Sequence, residues 1–336
     1  MTSSVIFGVA GTQLSEEEIA FFREVNPYGF ILFARNCKSP EQLKALTASL
    51  KALSGRDNVP VLVDQEGGRV ARLKPPHWGA YPPAAAFASL FSGSPKDAED
   101  AVYLNARLIA QELSDMGFTV DCAPLADLPV EGAHDIIGDR AFGRSPEQVI
   151  ALARAMANGL MDGGIVPVLK HVPGHGRAGA DSHLELPVVN TSLDELRRSD
   201  FVPFKALADL PMAMTAHVLY PAIDAERMAT VSPVAIKLIR EEIGFDNLLM
   251  SDDLSMKAMQ GGYDQRARDV LAAGCDVVLH CNGKMKEMRA VAEGLQPLEG
   301  VSLTRAERAM QCAGKADSFD VADARARRDA LLKMVA

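Results

Sequence analysis

The chain has 336 residues, 48% of them hydrophobic and 24% charged, the balance of a globular protein and not of a disordered, fibrous or membrane one. Its net charge of -9 excludes the broad basic surface that a nucleic acid requires, so any anionic ligand must be met by local Arg and Lys side chains. The length suits either two domains or one large α/β barrel, and the pattern along the chain must decide.

Short β-branched runs alternate with stretches of helical period, which implies parallel strands joined by crossover helices. Strands are predicted at 5–9, 30–33, 59–64, 118–122, 166–170, 213–217, 248–252 and 276–280. Helices are predicted at 15–25, 40–53, 97–116, 145–162, 194–208, 233–243, 265–273 and 284–294, with a polar C-terminal helix from Thr304 onward. Ser15-Glu16-Glu17-Glu18 has the form of a capping box, and Ser145-Pro146 and Ser232-Pro233 put proline in a first helical turn. Gly117, Gly244 and Gly274 each sit just before the next strand, as a left-handed C-cap requires. Eight strand–helix pairs predict an α/β fold of the (β/α)8 TIM-barrel class: one catalytic domain over residues 1–336 with a C-terminal helical extension from about 304. A doubly wound open sheet would use the same elements.

Three connections exceed simple turns, 65–94, 123–144 and 171–193, and each follows a strand's C-terminal end. Long loops in compact domains are usually functional, and in a barrel these gather at the face where active sites sit. Cys37, Cys122, Cys275, Cys281 and Cys312 are scattered and odd in number, as free thiols of a reducing compartment would be. The N-terminus lacks a basic stretch followed by a long apolar run, and no apolar run approaches the roughly 18 residues needed to span a bilayer. The expectation is a cytoplasmic protein with no membrane partner.

Asp64, Lys170, His171, His217 and Asp252 close apolar runs, and on a barrel such strand ends converge on one mouth. Polar residues naturally follow an apolar strand, so any one of them alone says little. In KHVPGHGRAGADSHLELP, Lys170, His171, His175, Asp181 and His183 crowd into a glycine-rich span. One reading is a metal site from His171, His175, Asp181 and His183, which the neighbouring Lys170 opposes; no metal or cofactor is expected. The other takes Asp181-Ser182-His183 as an acid/base dyad, the carboxylate fixing the imidazole tautomer. Opposite it, Asp252 is a candidate nucleophile, with Asp253 its rival, since successive strand residues point to opposite sides.

The ordered set K-H-x-P-G-H-G, D-S-H, D-Q-E-G-G-R-V-x-R and G-D-R-x-F resembles glycoside hydrolase family 3. More narrowly, it resembles the single-domain bacterial β-N-acetylglucosaminidases of peptidoglycan recycling, the NagZ type. The resemblance implies that Asp64, Arg72, Arg140, Lys170 and His171 bind the non-reducing sugar. It implies Asp252 as nucleophile, His183 as general acid/base and Asp181 as the partner of His183. His175 would shape the loop. The implied reaction is retaining double displacement that removes N-acetylglucosamine from muropeptide fragments, N-acetylglucosamine joined to anhydro-N-acetylmuramic acid with or without peptide. A histidine in place of the usual second carboxylate does not repel an anion, which keeps a phosphorylase alternative open. Attack by the substrate's own amide oxygen and a sugar-binding barrel without turnover are further alternatives. Partners are then an amino-sugar substrate alone, with monomeric assembly compatible.

Overall fold

The computed structural model describes residues 1–334 apart from Asp57, Ala133 and His183. Eight parallel strands close into a barrel in sequence order: β1 Ser3–Gly8, β2 Pro27–Leu32, β3 Val61–Val63, β4 Val120–Asp121, β5 Val166–Val172, β6 Met212–Thr215, β7 Leu248–Asp253 and β8 Val277–His280. Pairing of Val5 with Val278 and Ile6 with Leu279 completes the ring. Closure settles the choice against an open sheet.

Around it run α1 Glu16–Val25, α2 Pro40–Ser54, α3 Ala84–Phe91, α4 Pro95–Asp115, α5 Pro146–Asp162, α6 Leu193–Arg198, α7 Phe201–Ala206, α8 Pro233–Leu238, α9 Tyr263–Ala273, α10 Met285–Ala292, α11 Gly300–Ala309 and α12 Val321–Leu332. The expected start and stop signals operate. The Ser15 hydroxyl accepts from the Glu18 N–H while Glu18 accepts from the Ser15 N–H, a complete capping box. Pro146 and Pro233 open their helices, and Gly117, Gly244 and Gly274 all have positive φ.

Three departures have local causes. The helix expected over 194–208 is two, α6 and α7, because Pro203 has no N–H to donate to the Ser199 carbonyl and the Ser199 hydroxyl bonds back to Glu195 O. The loop 65–94 contains a further helix, α3, whose Phe87 and Leu90 are buried. The single C-terminal helix is also two, α11 and α12, and α12 packs on α4 through the buried pair Arg328 and Asn105.

Inside the barrel a strict alternation prevails. Ile6, Ile31, Leu62, Val120, Val166, Val168, Met212, Met214, Leu248, Met250, Val277 and Leu279 form the apolar interior cluster, while Val5, Val63, Ala213, Leu249 and Val278 face the helices. Extending that period by one more step toward the C-terminal mouth selects Phe33, Asp64, Lys170, Asp252 and Cys281 as the layer above the apolar plug. All five line one cavity.

Candidate active site

This cavity, of about 190 Å3, opens at the C-terminal face and has a floor of Ile31, Met214 and Leu279. Its walls include Asp64, Arg72, Arg140, Lys170, His171, Ser182, Asp252 and Asp253, and Val70, Ile136, Ile137 and Met256 add apolar surface. Six of the expected site residues thus meet here: Asp64, Arg72, Arg140, Lys170, His171 and Asp252. Ser182 lines the cavity next to Asp181, whose carbonyl accepts from the N–H groups of Leu184 and Glu185. His183 lies outside the described residues. His217 sits on the outward parity of β6 and does not reach the cavity; its ring bonds Thr230 Oγ1 at 2.8 Å and the Asp253 carbonyl at 3.0 Å.

Charge on the β3–β5 side is interlocked. Lys170 Nζ stands 2.6 Å from Glu66 and 3.1 Å from Asp64. Arg72 bonds the other Asp64 oxygen at 3.0 Å, and Arg140 grips Glu66 with two hydrogen bonds of 2.8 and 2.9 Å. Burial alone would push the Asp64 and Glu66 carboxyls up, but Lys170 with Arg72 or Arg140 outweighs it and holds both below their ordinary values. Burial would likewise pull the Lys170 ammonium down, and Glu66 and Asp64 reverse that. These groups are therefore ionised at neutral pH, forming a fixed frame of donors and acceptors suited to a polyhydroxylated ligand.

The loop carrying Arg72 is shaped by Gln65, which is buried. Its side-chain oxygen accepts from the Arg72 and Leu73 N–H groups and its amide nitrogen donates to Leu73 O. The Arg72 guanidinium lies 5.4 Å from the Phe33 ring centroid, a cation–π contact. Beneath, Asp121 accepts from the Gln65 N–H, and burial, opposed by that bond and by Lys170, pushes its carboxyl up to about 7.

Lys170 and His171 are adjacent, yet both face the cavity because the β5–β6 register shifts between Lys170 and Val172. The β7–β8 register shifts likewise between Met250 and Asp253, so Asp253 touches the cavity beside Asp252, contrary to the expected division of the pair. The Asp253 carboxylate accepts from the N–H groups of Ser255 and Cys281, at 2.9 and 3.0 Å, and from the Ser255 hydroxyl, which ties it into the loop. Asp252 continues the inward parity of Leu248 and Met250 and accepts the Asp253 N–H at 2.8 Å.

Three carboxylates around this site have no place in the sequence analysis, Glu66, Asp121 and Asp127. Glu66 stands inside the D-Q-E-G-G motif, and the doublet Asp64/Glu66 at a strand end was its signal. Asp127 had none. Among the described residues no cluster of three or more His, Cys, Asp or Glu side chains is arranged to hold a metal ion. No helix among them is long and apolar enough to cross a membrane.

An ion-paired cavity at the mouth of a barrel is common to many enzymes, and the relatives of the chain narrow the choice. The model of the glycosyl hydrolase family 3 N-terminal domain matches residues 8–311. A β-hexosaminidase of Alkalilimnicola ehrlichii is 42% identical over 283 residues, 83% of this chain and 80% of that protein. One from Chromobacterium violaceum is 38% identical over 94% of this chain and 88% of its own length. Among solved structures, NagZ from Neisseria gonorrhoeae in complex with N-trifluoroacetyl-D-glucosamine superposes with a TM-score of 0.85 at 34% identity, covering 99% of this chain and 97% of that one. Barrel, mouth cavity and sequence likeness across nearly the whole length agree: the chain belongs to glycoside hydrolase family 3 and is a glycoside hydrolase of the NagZ type.

Proposed function

We propose that the protein is a retaining β-N-acetylglucosaminidase that removes non-reducing terminal N-acetylglucosamine from β-1,4-linked muropeptide fragments in the cytoplasm. The observation that carries this reading is the placing of Asp252 in the same small cavity as Asp64, Arg72, Arg140, Lys170 and His171. Five fixed polar groups on one side can hold the hydroxyls of a single sugar ring, and a carboxylate on the other can reach its anomeric carbon. The likeness to β-hexosaminidases, and to a relative solved with an N-acylated glucosamine, supports an amino sugar over a plain hexose.

In this reading Asp252 attacks the anomeric carbon as the glycosidic bond breaks, and the departing oxygen takes a proton from His183. The glycosyl ester is then cleaved by water, whose proton returns to His183 while the second inversion restores the original anomeric configuration and frees Asp252. Asp181 supports the charge on His183 in both steps. The Asp253 N–H on Asp252 Oδ1 holds the attacking carboxylate in place.

The test is release of 4-nitrophenol from its N-acetyl-β-D-glucosaminide in phosphate-free buffer, with Asp252→Ala in parallel. Turnover by the wild type that is lost in the variant supports hydrolysis through Asp252. Turnover that requires added phosphate makes the protein a phosphorylase, and no turnover in either buffer removes the amino-sugar reading.

A further inference from the structure

Asp127 is fully buried and does not line the cavity. It follows β4, where the Ala126 N–H donates to the Lys170 carbonyl at 2.8 Å, so its backbone is stitched to the strand carrying the Lys170–His171 pair. Its Oδ1 accepts the His175 N–H at 2.6 Å and the His171 N–H at 3.3 Å, and its Oδ2 stands 2.8 Å from His171 Nδ1. Burial would raise this carboxyl, but His171 and the hydrogen bonds it receives hold it below its ordinary value. An ionised carboxylate only accepts, so the ring nitrogen facing it carries the proton. The neighbouring His175 ring does not compete. Burial pushes it down to about 4, leaving it neutral, and Asp127 touches His175 through the backbone N–H.

We propose that Asp127 is a positioning residue for the sugar-binding side: it fixes His171 as the Nδ1–H tautomer and aims Nε2, on the opposite edge of the ring, at a ligand hydroxyl as an acceptor. This rests on the reading that the cavity holds a sugar ring. Around that ring Lys170, Arg72 and Arg140 only donate, so an accepting nitrogen at His171 gives a hydroxyl hydrogen a partner the cations cannot offer. The substitution Asp127→Asn separates this role from packing. Its amide oxygen can keep the backbone N–H groups, but its NH2 then meets His171 Nδ1, which must give up its proton. The ring switches to Nε2–H, and the acceptor in the cavity becomes a donor.

The experiment uses 15N-labelled full-length protein and long-range proton–nitrogen correlation at pH 8, with His171 identified among the seven histidines by the signal missing in His171→Gln. The expected wild-type pattern is a protonated Nδ1 and a bare Nε2. In Asp127→Asn the pattern inverts, KM for the 4-nitrophenyl glycoside rises about tenfold, and kcat changes by less than about threefold. Any other wild-type pattern overturns the proposal without recourse to a variant, so a variant that fails to fold does not shield it. An unchanged tautomer in Asp127→Asn, or an inverted one with unchanged KM, overturns it too. If the wild type does not cleave the glycoside, the functional reading fails by itself. Titration with N-acetylglucosamine then decides the proposal through the His171 Nε2 signal, which should move on binding; a signal that stays fixed while the sugar binds overturns it.

Discussion

On the β3–β5 side of the cavity each charged group is held by another charge: Arg72 by Asp64, Lys170 by Asp64 and Glu66, Arg140 by Glu66. On the β7–β8 side Asp252 accepts the Asp253 backbone N–H, and Asp253 is tied to Ser255 and the Cys281 N–H. The first arrangement fixes each group against a charged partner and leaves the charges mutually satisfied. The second orients two neighbouring carboxylates through backbone N–H groups. In the proposed mechanism the two sides divide the labour, a rigid frame for the ring and an oriented carboxylate for attack on the anomeric carbon.

Asp252→Ala breaks the comparison most severely. It should lower kcat about 10⁴-fold with little change in KM, measured by 4-nitrophenol release, because it removes bond-making and leaves the frame intact. A KM effect as large as the kcat effect would mean that the two sides do not divide the labour. Glu66→Ala attacks the frame instead, stranding Lys170 and Arg140. The expected loss is about 3 kcal/mol in urea unfolding, with KM raised more than kcat is lowered. Glu66 also makes stability depend on pH. Its folded carboxyl lies below the ordinary 4.5, so the native state has shed a proton that the unfolded chain still binds in acid. Its contribution is complete above pH 4.5 and is lost as pH falls below, and Glu66→Gln should flatten that part of a melting-temperature profile.

Asp121 sharpens the contrast from the opposite sign. Its folded carboxyl is raised to about 7 from 3.8, so between these values the native state holds a proton that the unfolded chain has released. Stability therefore falls as pH rises from 4 to 7, and the full penalty is present above. One Asp121 oxygen is buried without a hydrogen-bond partner among the described residues. Asp121→Asn should be the more stable protein at pH 8, by about 1 to 2 kcal/mol, and the two proteins should converge near pH 4. Equal stability at both pH values would place the Asp121 proton elsewhere in the Asp64–Lys170–Glu66 cluster.

Legibility followed the same division. The strands and their order could be read because β-branched runs end on glycine-capped helices, and the inward parity then carries Asp64, Lys170 and Asp252 to the mouth. His217, one parity step out, failed for that reason. His171 and Asp253 reached the cavity only through register shifts, which a run of apolar residues does not announce. Asp127, in A-P-L-A-D-L-P, reads as a turn residue, and its three hydrogen bonds exist only once the segment after β4 meets the loop after β5. Pairings across 44 and 48 residues are a property of closure and not of local pattern.

The smallest expected effect tests how far the frame extends. Arg69 forms an exposed ion pair with Asp139 at 2.8 Å, their side chains 42% and 44% exposed, and such pairs contribute under about 1 kcal/mol. Its guanidinium also donates to the carbonyls of Asp135 and Ile136 at 2.7 and 2.8 Å, within the segment that carries Arg140. Arg140 itself returns a bond to Ile136 O at 3.1 Å, so both arginines grip the same turn. Arg69→Ala should therefore barely move the melting temperature while raising KM about threefold, because the turn can shift Arg140 without unfolding anything. A loss of stability with KM unchanged would put the edge of the frame at the buried Arg140–Glu66 pair and make Arg69 a surface contact.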